Sequence, residues 1–493
     1  MTRRAWLLVL VVTLAVWAPT LRYGWIENWD DGAMWLNNPY IRTWGNAWMW
    51  MVTTDFWGHW MPLTWLTAAT TYQVWGYTPA AWHGVNVALH SVSAVLCFLI
   101  ARRLLHSTAG AVVAALVFSV HPLRIESVAW ITELKDVLMG VFVLLAAWLW
   151  LQERRGWALV AFIAACLSKE LAVCLPVMLL ALEWWRWWRD GRGVFWRRAR
   201  QLLPFGAVAV AITVNAFYAL HHGLSNALTL AAVPIGPRLL HVAYSEVFYA
   251  WQTVWPSRLS HLIEYTWIPS WDQPQYPLAV GVIALVATLL LLSWRRWPAL
   301  AASVVAYAVA AFPQAGLFQN GPQLVANRYS YLACLPFALL AGAAVTWGMR
   351  RLPVFTSAAS VAVVGALVLT TTAAMPMWRD TTSLWTYAAA HEPTCTMCLD
   401  QVARAAYLRG DLVVAKRTIE QAIAVSSLTI LPRWERHWNL AGILLHLGDR
   451  EGATQQLRIY LAVTPPAMLQ YEPDRGHYAR GQAFLAALEA GTL

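Results

Sequence analysis

Residues 1–20 read MTRRAWLLVLVVTLAVWAPT, two arginines followed by an apolar run that only Thr13 interrupts before Pro19. The basic start and apolar stretch match a secretory signal, but no small-x-small cleavage site follows, so the segment is read as a retained first membrane span. The same kind of block recurs at 82–101, 109–120, 137–151, 157–167, 171–185, 202–220, 277–292, 298–312, 331–347 and 354–375. Together these predict about eleven spans, several shorter than the ~20 residues that cross hydrocarbon as one straight helix, which leaves room for broken or re-entrant segments. Composition agrees: 59% of the 493 residues are hydrophobic and 12% are charged, about half the charge of a soluble domain. The expected fold class is all-α, with a polytopic membrane domain over 1–376 and a soluble helical domain over 377–493.

A formal charge of +10 does not mark a nucleic-acid binder here, because the basic residues sit in short clusters between apolar blocks: Arg102/Arg103, Arg154/Arg155, Arg295/Arg296 and Arg350/Arg351. The largest cluster, WWRWWRDGRGVFWRRAR at 184–200, mixes Trp with Arg as a headgroup-level belt does. A cytoplasmic N-terminus places all of these on one side with Arg3 and Arg4. The opposite side then holds Arg22, Arg42, Arg124, Lys135, Lys169, Arg238, Arg258 and Arg328, spread over longer loops. The positive-inside rule therefore sets the tail outside. The long outer loops are 22–81 and 221–275, and an apolar stretch at 62–74 within the first is expected to lie as a helix along the interface. The absence of an Asn-x-Ser/Thr acceptor site favours a bacterial inner membrane over the endoplasmic reticulum.

Beyond Met377 helix formers recur at three-to-four spacing with charges between them. Residues 403–427 (ARAAYLRGDLVVAKRTIEQAIAVSS) and 440–465 (LAGILLHLGDREGATQQLRIYLAVTP) repeat each other, aligning Gly410, Asp411 and Ala415 with Gly448, Asp449 and Ala453. The offset is the ~34-residue tetratricopeptide period with a short insertion at 429–432. A final helix at 482–490 would cap the stack, and the array serves either as a packing domain or as a groove for a protein partner. Cys97, Cys166, Cys174 and Cys334 lie in apolar stretches as small hydrophobes. Cys395 and Cys398 lack a second ligand pair for zinc, which leaves a local disulfide or two idle thiols.

Acids are scarce in the membrane part, so their positions are informative. Asp30 and Asp31 follow the first span, where a carboxylate can act as a general base toward a hydroxyl within reach of a lipid-borne substrate, or simply cap an interface. Residues 121–136 (HPLRIESVAWITELKD) carry His121, Glu126, Lys135 and Asp136 between two apolar spans. Such density at a membrane boundary calls for an aqueous cavity or mutual pairing, with Lys135 salt-bridged to Glu133 or Asp136 as the plainer alternative. Lys169 and Glu170 recur at the next outer turn and Arg328 at a later one; three isolated cations on one side suit a phosphate or pyrophosphate. His59, His83 and His90 fit packing roles, and His121 is the histidine singled out for test.

Taken together, Trp29-Asp30-Asp31, Pro39, Pro62-Leu63-Thr64, WHGVNVALH at 82–90, His121-Pro122, ESVAW at 126–130, Lys135-Asp136, LSKELAVCLP at 167–176, NRYSYL at 327–332 and WRDTTSLW at 378–385 resemble the transmembrane and tetratricopeptide-repeat O-mannosyltransferases and their bacterial relatives. The resemblance runs over nearly the whole chain. It implies a GT-C-type glycosyltransferase that takes its sugar from a polyprenyl phosphate, with Asp30 or Asp31 as base, Lys135, Lys169 and Arg328 on the donor phosphate, and His121, Glu126, Asp136 and Glu170 in support. The chain departs from the pattern in Arg124, where relatives often have His, in Lys135, where Arg is usual, and in its short repeat array. No clean metal-ligand spacing occurs, so no cofactor is expected and fixed cations are favoured over a metal, with a divalent ion bridging Asp31, Glu126 or Asp136 as the alternative. The expected partners are the lipid-linked sugar, membrane lipids and a protein or peptide acceptor, without nucleic acid. The competing readings are a non-catalytic scaffold with a partner-binding tail and a transporter of lipid-linked sugars; a transporter commonly repeats its spans, and no such repeat is visible.

Overall fold

A computed structural model of the protein describes residues 4–43, 47–222, 230, 233–265, 267–318, 321–426, 434–464 and 472–492. The chain separates into two units. One comprises 1–259, 269–321 and 325–381; the other comprises 260–268, 322–324 and 382–493.

The first unit is a bundle of apolar helices. Among the described residues seven are long and apolar enough to cross a membrane: Ala5–Arg22, Pro79–Leu105, Ile131–Leu151, Glu170–Trp188, Gly193–Ala219, Gln275–Ser293 and Pro353–Trp378. Two helix pairs qualify only when joined across a bend, Thr108–Ser119 with Pro122–Ala129 at 50° and Asn327–Ala333 with Leu335–Gly348 at 56°, each a broken span or a re-entrant loop. The first break falls at His121-Pro122, since proline disfavours helical backbone in the residue before it. Shorter apolar helices occupy Arg155–Ser168 and Pro298–Gln314. All the apolar blocks of the sequence are thus helical, and the protein is a multi-pass, all-α membrane protein.

Among the described residues the long loops 22–81 and 221–275 carry three further α-helices, the shortest of them Ala47–Thr53. Pro62–Trp75 forms where the apolar stretch at 62–74 predicted a helix. Ile235–Val254, twenty residues long, lies within 221–275 and was not expected there; its apolar residues are spaced as a stripe, buried at Leu240, Ala243 and Phe248, so no continuous apolar block announces it.

Polar groups collect at two levels. Glu183 is buried and accepts from Trp150 Nε1 (2.8 Å), Arg186 (2.8 Å) and Arg198 (3.2 Å), while the Arg155 guanidinium stacks on Trp150 at 3.7 Å. Arg155, Arg186 and Arg198 belong to the basic clusters that the sequence places between apolar blocks. Leu134–Leu151 is an 18-residue helix, ~27 Å at 1.5 Å per residue. Trp150 stands near its C-terminal end and Lys135 and Asp136 in its first turn, so the second polar cluster, described below, lies at the other end of the bundle.

The second unit contains two helical hairpins of the same construction, Thr396–Leu408 with Leu412–Ser426 and Glu435–His446 with Arg450–Val463, followed by Glu472–Glu489. Gly410 (φ 80°) and Gly448 (φ 82°) both take the left-handed conformation that ends a helix without steric cost. Asp411 N returns to Ala406 O (3.0 Å) and Asp449 N to Leu444 O (2.9 Å). Asp411 and Asp449 then cap the following helices, accepting from Val414 N and Gly452 N, and Ala415 and Ala453 are buried where the paired helices close. The insertion at 429–432 lies outside the described residues. Cys395 and Cys398 form a disulfide, and the other cysteines are buried thiols. Glu264 accepts from Thr396 N (2.6 Å) and its hydroxyl (3.0 Å), and buried Arg436 donates to Asp400 (2.8 Å) and to the same hydroxyl (2.6 Å).

Candidate active site

Every charged group of this second cluster sits where a helix is interrupted. Backbone can leave helical geometry at membrane depth only where protein or a cavity satisfies its polar groups. Glu126 opens the short helix after the His121-Pro122 break, and Glu133 ends the turn Ile131–Glu133. Lys135 and Asp136 lie in the first turn of Leu134–Leu151. Lys169 is an extended residue that stops Arg155–Ser168, and Arg328 lies in the turn Asn327–Tyr329 before the second broken helix.

Asp30 and Asp31 have different surroundings. Asp31 is fully buried. Its Oδ2 accepts from Ile26 N (2.9 Å), and its Oδ1 accepts from both Thr132 N (3.0 Å) and Thr132 Oγ1 (2.6 Å); the same Thr132 hydroxyl accepts from Trp35 Nε1 (3.0 Å). Burial pushes the Asp31 carboxyl up to about 7 against the pull of those hydrogen bonds. Asp30 is half-buried, and among the described residues it has no hydrogen-bond or ion-pair partner. Burial raises its carboxyl too, while Lys135 and then Arg328 draw it back, Glu133 pushes it up and His59 pulls it down. Asp31 is therefore a clasp between the first loop and Thr132, whereas the Asp30 carboxyl carries no hydrogen bond or ion pair among the described residues.

The cations are not isolated, contrary to the expectation. All three surround buried Glu133: Lys135 Nζ at 3.3 Å, Arg328 Nε at 3.4 Å and Lys169 Nζ at 3.7 Å. Lys169 also pairs closely with Asp136, and Arg328 with Glu126, which further accepts from Arg328 N (3.0 Å). The Trp130 ring lies beside Lys135 (5.8 Å) and Arg328 (5.5 Å). Lys135, with one carboxylate and the greatest exposure of the three, is the least committed. Glu133 is the organiser of the cluster, and the sequence offered it only as a pairing partner for Lys135.

His121, singled out for test, is occupied by structure. Its Nδ1 accepts from Leu123 N (3.2 Å) as the cap of the turn after the break, and Nε2 reaches Thr253 O (3.0 Å). Glu170 instead holds His59, Nδ1 to Oε1 at 2.5 Å, a histidine set aside as a packing residue. Fully buried Arg124 donates to Ser330 O (3.1 Å) and Oγ (2.7 Å) and faces the Phe118 and Tyr331 rings, which ties the two bent helix pairs together. The sequence marked it only as a departure from the family pattern and gave it no role. Among the described residues no group of three or more His, Cys, Asp or Glu side chains has metal-holding geometry.

The separate motifs meet one another in space. Thr64 Oγ1 of Pro62-Leu-Thr donates to Ser168 O of Leu167-Ser-Lys-Glu (2.8 Å). Asn86 Nδ2 donates to Trp130 O (3.0 Å), His90 Nδ1 meets Tyr331 Oη (2.8 Å), and Trp130 stacks on Trp378 at 5.4 Å. The chain is similar to the protein O-mannosyl-transferases. It is 35% identical over 140 residues to Tmtc1 of Drosophila melanogaster, 25% of this chain and 16% of that one. It is 36% identical over 129 residues to TMTC1 of Homo sapiens, 24% of this chain and 14% of that one. A protein O-mannosyl-transferase of Caenorhabditis elegans matches at 24% identity over 331 residues, 63% of this chain and 47% of the relative. The chain thus spans less than half the length of these O-mannosyl-transferases. No protein-family model matches it. Among solved structures, ArnT from Cupriavidus metallidurans bound to undecaprenyl phosphate covers 94% of this chain and 82% of its own, at 17% identity and a TM-score of 0.39.

Proposed function

We propose that the protein is a membrane glycosyltransferase that moves a hexose, mannose by analogy with its named relatives, from a polyprenyl-phosphate donor to the hydroxyl of a protein Ser or Thr. The observation that carries this reading is Asp30: a half-buried carboxyl with no hydrogen-bond or ion-pair partner among the described residues, near a cluster of fixed cations. In the proposed reaction Asp30 takes the proton of the acceptor hydroxyl while that oxygen bonds to the anomeric carbon. The bond from that carbon to the phosphate oxygen breaks, and its electron pair leaves with the polyprenyl phosphate. A single displacement of this kind inverts the anomeric centre.

The departing phosphate gains negative charge on breaking free, so cations held in advance at that place lower the barrier without reorganising. Lys135 is assigned the first contact, with Arg328 and Lys169 behind it. Glu133, Glu126 and Asp136 keep these side chains extended and oriented before the donor arrives. In this reading the helices provide lateral access for a polyprenyl tail; the arginine-rich connections support a site on the non-cytoplasmic side, and the lack of Asn-x-Ser/Thr sites favours a bacterial inner membrane. The paired hairpins of the tail are assigned to acceptor-protein binding in the manner of tetratricopeptide repeats.

The test is mass spectrometry of outer-facing proteins and lipids from cells with and without the chain. A hexose present on Ser/Thr peptides only when the chain is made supports the reading, and identical glycopeptides in both samples overturn it.

A further inference from the structure

At the end of the bundle opposite the Glu133 cluster, Glu183 and Glu153 take part in no step of the proposed reaction, yet they organise a basic surface. Residues 153–155, 183–201 and 294–297, three stretches far apart in sequence, carry ten arginines against three acids. They meet in space. Arg155 Nε donates to Gln201 Oε1 (2.8 Å), and Arg198 reaches both Glu183 (3.2 Å) and Glu153 (3.3 Å). Trp294 packs against Trp184 (5.9 Å) and Trp188 (5.6 Å). Arg155 also pairs with Glu153, and Arg186 with Glu183, so both carboxylates are spent on inner arginines. The outer ones, Arg154, Arg197, Arg200, Arg295 and Arg296, are exposed and have no ion-pair partner among the described residues.

Indole rings stand beside these charges. Trp157, Trp188, Trp196 and Trp297 are exposed at the same end, where apolar helices terminate. Indole is favoured at the headgroup level, with its ring toward hydrocarbon and its N–H toward polar groups, which sets the neighbouring arginines at the depth of lipid phosphates. A zwitterionic headgroup brings a phosphate with its own cation attached. An acidic phospholipid brings net negative charge, which is what arginines without carboxylates lack, and a guanidinium can give two parallel N–H bonds to one phosphate.

We propose that this surface is a selective docking site for acidic phospholipid headgroups, with Arg197 and Arg200 on the ten-residue helix Arg192–Gln201 and Arg295 and Arg296 on the neighbouring turn as its contacts. The Glu183–Arg198–Glu153 network fixes that helix, so the outer charges are in place before lipid arrives. This surface is independent of the Asp30 reading.

The test reconstitutes the full chain in phosphatidylcholine bilayers with a trace of spin-labelled phosphatidylglycerol or phosphatidylcholine, and electron paramagnetic resonance reads the fraction of each label immobilised by the protein. Wild type is expected to hold the acidic label about threefold over the zwitterionic one at low salt, and to lose most of that preference in about 1 M salt, where charges are screened beyond ~3 Å. Arg197→Gln/Arg200→Gln/Arg295→Gln/Arg296→Gln is expected to bring the ratio near one. Removing the same charge from the tail, Arg404→Gln/Arg409→Gln/Arg417→Gln/Arg450→Gln, is expected to leave it as in wild type. A wild-type ratio near one, a preference indifferent to salt, a preference that the surface variant retains, or an equal fall in both variants overturns the proposal. The salt comparison is read on wild type and needs no variant to fold.

Discussion

Thr132 gives both its backbone amide and its hydroxyl to one oxygen of Asp31, at 3.0 and 2.6 Å, so the first outer loop is fastened to the turn that precedes Glu133. The neighbouring Asp30 has no such attachment. Asp31→Asn would replace an acceptor oxygen with a donor facing donors, at a cost of about 1–3 kcal/mol. It is expected to lower the melting temperature of the purified protein, whereas Asp30→Asn is expected to leave it unchanged. Thermal unfolding followed by tryptophan fluorescence decides; equal melting temperatures for the two variants would contradict the division of roles.

Glu133 compensates three cations while itself buried. Breaking a buried ion pair by removing one member leaves uncompensated charge and costs about 3–5 kcal/mol. Glu133→Gln is therefore expected to reduce the yield of folded protein sharply, and Lys135→Met, which removes the most exposed cation, to cost far less. Detergent-extracted yield on a sizing column gives the comparison, with equal yields counting against Glu133 as the organiser.

The direction of the acid limb of activity follows from the groups around Asp30. Burial raises its carboxyl and Lys135 draws it down most strongly among the charges nearby. The ionised form is the base, so activity is lost as pH falls through the Asp30 value. Removing the Lys135 charge raises that value further. Lys135→Met is expected to move the acid limb of kcat/KM to higher pH, and a limb that stays put or moves to lower pH would separate Lys135 from Asp30.

The disulfide Cys395–Cys398 bears on sidedness, because such bridges persist in oxidising compartments and are reduced in the cytosol. Acid-quenched cells treated with a maleimide-polyethylene glycol under denaturing conditions are expected to show these cysteines protected until a reductant is added. Immediate labelling of both would set the tail in the cytoplasm.

The spans were legible because continuous apolar blocks need only composition to be seen, and the two helical hairpins because glycine and aspartate recur at matching turns. Ile235–Val254 was hidden by its own amphipathic spacing. The choice between Asp30 and Asp31 could not be read at all: adjacent identical side chains differ only in what the folded chain brings to them, here Thr132 and Ile26 for one and no hydrogen-bond partner among the described residues for the other. Glu133 was legible only as a neighbour of Lys135, because Lys169 and Arg328 reach it from distant parts of the chain. His59 was passed over because its partner lies 111 positions away, beyond any spacing rule. His121 attracted attention through its proline neighbour, and that neighbour marks the helix break it caps.

The central claim is that Asp30 performs the base chemistry beside cations that hold the lipid phosphate. It is tested most directly with purified wild type, Asp30→Asn and Asp31→Asn in nanodiscs, scoring both binding of labelled undecaprenyl phosphate and hexose transfer to a peptide. Asp30→Asn is predicted to bind the lipid as wild type does and to transfer nothing measurable. Wild-type transfer by Asp30→Asn would contradict the account.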